Sequence, residues 1–255
     1  MSFSVIIPAR LASTRLPGKA LLDICGKTMI QRVYEQASLS DAKQVIVATD
    51  DISIEREVIR FGGKVCMTSV DHVSGTDRIQ EVCSQYEFDA EEVVVNVQGD
   101  EPIIPPSVIN QVARNLSPPI VESSALVATL YEPIDNLQDI IDPNVVKVVS
   151  DVDSMALYFS RAPIPWDRDR MPEDFLKGAY KRHVGIYAYK VGLLNEYVTW
   201  QADEIELLEK LEQLRILRQG YRILIDKAVE SIPPGIDTPK DLERTRAYLE
   251  SRASQ

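Results

Sequence analysis

Ser4-Val5-Ile6-Ile7-Pro8 runs straight into Ala9-Arg10-Leu11-Ala12-Ser13-Thr14-Arg15-Leu16-Pro17-Gly18-Lys19, a short β-branched run followed by a loop with three cations before the first acidic residue, Asp23. The apolar run is too short for a helix and reads as a buried strand. In an open α/β sheet, ligands bind beyond the carboxyl ends of the strands, and guanidinium forks match phosphate oxygens. The chain carries a formal net charge of -11, so cations clustered at such a strand end point to an anionic ligand rather than to a merely solvated loop.

The same texture repeats outward from this loop. Strands are expected at 44–48, 64–67 and 93–97, with helices near 28–38, 52–61 and 77–86 and Gly62-Gly63 as a helix stop. Strands alternating with helices over short connections predict an α/β fold, a mainly parallel sheet flanked by helices. From about 127 to 190 the chain turns Pro-rich and aromatic, with strand-like pieces at 145–149, 156–159 and 184–189; a small inserted subdomain and an oligomer contact are expected there. One helix is expected over 204–218, its Leu207, Leu208, Leu211, Leu214 and Leu217 on a single face, followed by a strand at 222–225. With 255 residues and 45% hydrophobic content, residues 1–255 are read as a single domain carrying the insertion.

Composition removes several classes of function. No apolar run is long enough to span a bilayer and no basic leader precedes the first strand, so a cytoplasmic protein is expected. The three cysteines, Cys25, Cys66 and Cys83, are odd in number, lack C-x-x-C spacing and are expected in apolar surroundings, which argues against disulfides and zinc. Net negative charge opposes nucleic acid. A phosphate-binding loop of the G-x-x-x-x-G-K-[ST] type is excluded, because the glycine it needs before Gly26-Lys27-Thr28 is Leu21 and the one before Gly18-Lys19 is Ser13.

Carboxylates complete the pattern. The strand at 93–97 runs into Gln98-Gly99-Asp100-Glu101-Pro102, delivering Asp100 to the ligand edge of the sheet. Magnesium needs only one or two protein carboxylates when phosphates and water supply the remaining ligands, so Asp100 beside the basic loop is a sufficient metal ligand. A turn Asp is the bland alternative, and the nearby cations tip the balance. In Gly235-Ile236-Asp237-Thr238-Pro239-Lys240-Asp241, Thr238 and Asp241 form a capping-box pair with Pro239 at the first helical position. Asp237 then falls just outside the helix and is a second metal candidate. Ser74-Gly75-Thr76-Asp77-Arg78 suits close backbone approach by a ligand but also serves as an ordinary helix start. His183 opens a strand with Tyr187 and Tyr189 at alternating positions, whereas His72 has no evident partner.

Taken together these segments resemble the 3-deoxy-manno-octulosonate cytidylyltransferases, the CMP-Kdo synthetases. The resemblance covers nearly the whole chain. It rests on Ile7-Pro8-Ala9-Arg10, Ser13-Thr14-Arg15-Leu16-Pro17-Gly18-Lys19, Ala48-Thr49-Asp50, Ser74-Gly75-Thr76-Asp77-Arg78 and Val95-Asn96-Val97-Gln98-Gly99-Asp100-Glu101-Pro102. It continues through Tyr158-Phe159-Ser160-Arg161, Ile164-Pro165-Trp166-Asp167-Arg168, His183-Val184-Gly185-Ile186-Tyr187, Leu211-Glu212-Gln213-Leu214-Arg215 and Gly235-Ile236-Asp237-Thr238-Pro239. It implies a nucleotide-diphospho-sugar-transferase-like sheet, a homodimer formed through the inserted subdomain, and a reaction of CTP with Kdo that yields CMP-Kdo and pyrophosphate for lipopolysaccharide biosynthesis. It further implies Arg10, Arg15 and Lys19 on the triphosphate, Pro8, Ala9, Ser74, Gly75, Thr76 and Gln98 around the nucleotide, and Asp100 and Asp237 on magnesium, in all two ions of a two-metal site. Arg78, Gln98, His183, Tyr187, Glu212 and Gln213 are implied around the sugar acid. The 8-amino analogue of Kdo, another CMP-sugar-acid synthetase, and a nucleotide-sensing protein without turnover stay open. Arg218-Gln219-Gly220-Tyr221 departs from the aromatic sequence common among such relatives.

Overall fold

The computed structural model describes residues 2–11, 16–72, 74–117, 125–171 and 173–253. Its elements run β1 (Phe3–Ala9), a 3-10 turn (Lys19–Leu21), β2 (Asp23–Ile24), β3 (Lys27–Thr28), α1 (Met29–Ser38), β4 (Gln44–Thr49), α2 (Ile52–Arg60), β5 (Lys64–Met67), α3 (Gly75–Gln85), β6 (Val93–Asn96) and α4 (Pro106–Arg114). They continue through β7 (Val127–Pro133), α5 (Leu137–Ile141), β8 (Lys147–Ser150), β9 (Ala156–Ser160), β10 (Lys181–Lys190), α6 (Val191–Tyr197), α7 (Glu204–Glu209), α8 (Gln213–Arg218), β11 (Ile223–Lys227) and α9 (Pro239–Ala253).

Among the described residues the main sheet has nine strands, with the path β11-β7-β10-β6-β1-β4-β5 and the β8–β9 hairpin off one side of it. β1 pairs in parallel with both β4 and β6, as the alternating strand-helix pattern predicts. Strand periodicity sorts the core into layers. Phe3, Val5 and Ile7 face α1 and α4 through Ile30, Val33, Val108 and Val112, whereas Ile6 faces α3 and α6 through Ile79, Val82, Leu193 and Leu194.

Three expectations need correction. The segment 127–190 begins and ends inside the main sheet: β10 lies antiparallel between β6 and β7, so only 134–180 leaves the sheet's central path. The texture of that segment had concealed two central strands, because a buried strand and a subdomain strand look alike over a few residues. The helix expected over 204–218 is two helices, α7 and α8, divided at Lys210 with φ 54°. Its leucines do not share one face either: Leu207 and Leu208 are exposed while Leu211 and Leu214 are buried. Finally, Cys25 is exposed; with Gly26 it forms a two-residue turn between β2 and β3, both at positive φ, the geometry that matches hairpin twist. Cys66 and Cys83 are buried as expected, and burial pushes the Cys83 thiol up to about 12.

Candidate active site

Parallel pairing brings the ends of β1 and β6 side by side, so Pro8-Ala9-Arg10 and Gln98-Gly99-Asp100 leave the sheet together. A Cβ on Gly99 would stand 2.9 Å from the Pro8 carbonyl oxygen, closer than side chains and backbone pack. We expect Gly99→Ala to push the two strand ends apart, at a cost of roughly 1–3 kcal/mol. Thermal unfolding should show the loss, with turnover falling further because Asp100 shifts; unchanged melting and turnover would contradict it.

The C-terminal segment closes the other side. The Ile236 amide donates to the Asp100 carbonyl at 2.9 Å, and Ile236 and Leu242 pack with Leu16, Ile24 and Met29. Thr238 and Asp241 cap α9 as anticipated, with the Asp241 carboxylate accepting from the Thr238 amide and hydroxyl. The Asp237 carboxylate is therefore not the cap. It meets the Lys19 ammonium at 2.9 Å, and the same ammonium donates to Asp100 Oδ2 at 2.6 Å. Burial works to lower the Lys19 pKa, but Asp100 and then Asp237 outweigh it and hold the ammonium above its ordinary value. Two carboxylates from segments 137 residues apart thus converge on one positive charge. Next to them, burial and then the Asp100 charge push Glu101 up to about 8.

Two cavities that share wall residues lie near the strand ends. One, of about 270 Å³, is lined by Pro8, Ala9, Arg10, His72, Ser74, Gly75, Arg78, Gln98 and Glu212. The other, of about 250 Å³, includes Gly75, Thr76, Asn96, Gln98, His183, Tyr187, Glu212 and Gln213 in its wall. Gly75, Gln98 and Glu212 belong to both and mark the junction. Ser74 caps α3 by accepting from the Asp77 amide at 3.1 Å, which turns Gly75 and Thr76 toward the junction. Thr76 then donates to Glu212 at 2.9 Å, tying α3 to the 210–213 corner. Burial raises the Glu212 carboxyl above its usual range, with the Thr76 hydrogen bond opposing the shift.

Arg78, which the resemblance implies near the sugar acid, lines the first of these cavities. It sits there with Arg10, its buried guanidinium donating to Asp50 Oδ2 at 2.7 Å and to Thr68. The first turn of α3 aims it at the end of β4, where Asp50 neutralises it. Arg15 lies outside the described residues.

The second cavity is polar where a core would be apolar. Among the described residues, Asn96 Oδ1, the Tyr197 hydroxyl and Gln213 Nε2 are buried there without a hydrogen-bond partner. Buried polar groups normally find a hydrogen bond, so three along one cavity ask for a ligand rich in hydroxyls. Asn96 was legible as the polar residue inside Val93-Val94-Val95-Asn96-Val97, and Tyr189 by its alternation with Tyr187. Tyr197 and Lys210 left no such signal. His72, without a visible partner in the sequence, pairs with Glu81. Tyr221, in the departing segment, stacks on Trp200 with ring centroids 5.3 Å apart and takes no part in the cavity wall.

His183 lies against Phe159 and Tyr187, with Nε2 3.1 Å from Thr129 Oγ1. The Thr129 hydroxyl faces the carbonyls of Val184 and Ile186, so its oxygen accepts from Nε2–H and leaves Nδ1 as an acceptor. Burial, with help from Arg182, lowers the His183 pKa from 6.5 to about 3. The unfolded chain then takes up the proton first, so the stabilisation is complete above 6.5 and drains away as pH falls toward 3. Imidazole resonances of His183 should show no protonation between about pH 7.5 and about pH 5; a midpoint near the free value would refute the neutral assignment.

A cytidylyltransferase family model matches residues 4–226. The 3-deoxy-manno-octulosonate cytidylyltransferase of Aliivibrio fischeri is 56% identical over 251 residues, covering 98% of this chain and 99% of that one. The enzyme of that name from Saccharophagus degradans is 56% identical over 257 residues, covering 98% and 100%. Among solved structures, CMP:2-keto-3-deoxy-manno-octonic acid synthetase complexed with CTP superposes with a TM-score of 0.88 at 42% identity, over 98% of this chain and 99% of that one. A 4-diphosphocytidyl-2C-methyl-D-erythritol synthase, at 11% identity and a TM-score of 0.63, shares the fold. The chain belongs to the cytidylyltransferase family, within its 3-deoxy-manno-octulosonate cytidylyltransferases.

Proposed function

We propose that this chain activates Kdo with CTP, joining the anomeric oxygen of the sugar to the α-phosphorus and releasing pyrophosphate. The observation that carries this reading is the pair of cavities meeting at Gly75, Gln98 and Glu212, one beside Arg10 and the other lined by unpartnered polar groups. The first suits the nucleotide and the second a polyhydroxylated acid, so the junction is where α-phosphate and anomeric hydroxyl meet. Arg10 and Lys19, with Arg15, neutralise the triphosphate and the departing pyrophosphate. Asp100 and Asp237 would hold magnesium, which when bound would shield the triphosphate charge and lower the pKa of the attacking hydroxyl. Neutral His183 orients the sugar through hydrogen bonds without repelling cations, and Gln98 and Gln213 hold its hydroxyls.

Pyrophosphate release in the presence of CTP, Kdo and magnesium tests the reading, with CMP-Kdo identified by mass. Release that depends on both substrates is expected; CTP binding without release, or equal release with unrelated sugar acids, would overturn it.

The protein acts as a homodimer in the cytoplasm, supplying lipopolysaccharide synthesis. Among the described residues no helix is long and apolar enough to cross a membrane. Leu157, on β9, is 61% exposed, and Val152, in the turn before it, is 100% exposed. A second copy covers this hairpin, and light scattering should show Leu157→Glu shifting toward monomer while wild type remains dimeric. A monomeric wild type would contradict it.

A further inference from the structure

We propose that Lys19 is a place-holding cation, occupying the position between Asp100 and Asp237 in the free enzyme so that a divalent metal enters only together with a triphosphate. This goes beyond a phosphate clamp, and it rests on Asp100 and Asp237 being the metal ligands.

The geometry carries the argument. The ammonium lies 2.6 Å from Asp100 Oδ2 and 2.9 Å from Asp237 Oδ1, and the Lys19 side chain is only 14% exposed. Magnesium on the same oxygens would sit at about 2.0–2.1 Å from each. The two cations would then overlap in space and repel in charge, so one excludes the other. The free site is already compensated, which removes much of the attraction that two bare carboxylates exert on a metal.

Lys19 has a place to go only when nucleotide arrives. Its backbone is fixed: the Leu21 amide donates to the Gly18 carbonyl at 2.9 Å, the Leu22 amide to the Lys19 carbonyl at 3.2 Å, and Ala20 is buried. The flexible four-carbon stem must therefore swing on a fixed root. Swinging away without a new partner would leave a largely buried cation uncompensated. Triphosphate oxygens at the neighbouring strand ends supply that partner while releasing both carboxylates to the metal. Metal and nucleotide consequently raise each other's affinity, and this coupling is reciprocal.

A simple clamp and a place-holder differ in the free enzyme. Manganese, followed by the magnetic resonance signal of the unbound ion, is titrated into wild type, Lys19→Met and Lys19→Met/Asp100→Asn, with and without a CTP analogue carrying an α,β-methylene bridge. Without nucleotide, Lys19→Met should bind manganese about tenfold or more tighter than wild type, within the usual range of coupling between sites. With the analogue that advantage should shrink or reverse, because wild-type Lys19 now holds phosphate. Equal affinity of wild type and Lys19→Met without nucleotide would overturn the proposal directly. Tight binding retained by the double variant would overturn it through the ligand assignment, and that failure is distinguishable because it implicates Asp100 rather than Lys19. Neither result depends on turnover, so the Kdo reaction stands or falls separately by pyrophosphate release.

Discussion

Asp100→Asn should lower turnover by about 10²–10³-fold or more while the melting temperature barely moves. The substitution keeps the side-chain shape and the Asp100 carbonyl that accepts from the Ile236 amide, so the strand end stays docked against the C-terminal segment. What disappears is one of the two negative charges facing Lys19. Asp237→Asn should cost a comparable factor. On the proposed metal assignment the two carboxylates act as a unit, so the double variant should be scarcely worse than either single one, as such groups are not additive. Steady-state kinetics at saturating CTP and Kdo measure this directly. Near-normal turnover in Asp100→Asn would remove the metal from the mechanism.

Stability should respond most to the Glu206–Arg215 pair, which stacks on Tyr197 in the wall of the second cavity. Arg215 donates to both carboxylate oxygens of Glu206, at 2.7 and 2.6 Å, and stacks over Tyr197 with its guanidinium 4.5 Å from the ring centroid. Both side chains are nearly buried, 11% and 8% exposed. Glu206→Gln leaves a buried guanidinium without its counter-charge, and breaking such a pair costs about 3–5 kcal/mol. For a chain of this size that corresponds to a fall in melting temperature of roughly 2–4 °C per kcal/mol. Glu206→Leu/Arg215→Met removes both charges and should recover much of the loss. Since the pair fastens α7 to α8, Glu206→Gln should also raise KM for the sugar more than KM for CTP. An unchanged melting temperature would show that the pair contributes nothing; equal changes in both KM values would detach it from the proposed sugar site.

That corner shows where local pattern stops being decisive. Leucines at helical spacing over 204–218 are compatible with one continuous helix, and nothing in the segment marks Lys210 as a break. The break comes from distant partners. Glu209 accepts from the Ser160 hydroxyl at 2.6 Å and the Arg161 amide at 2.9 Å, and the Arg161 side chain donates to the Glu209 carbonyl. These contacts join residues far apart in the chain, and they turn Leu211-Glu212-Gln213 into the cavity.

The sequence by itself determined the strand-helix alternation, the cation loop at the end of β1, the delivery of Asp100 by β6 and the cap that sets Asp237 outside α9. Each is written in a few neighbouring residues, through side-chain period, turn chemistry or capping. Tertiary structure alone decided that β10 enters the sheet antiparallel, that Arg78 is spent on Asp50, that the 204–218 helix breaks at Lys210, and that Lys19 joins two carboxylates from distant segments. Those outcomes depend on which charges and surfaces meet once the sheet closes, and residues far apart in sequence carry no local sign of the partner they will find.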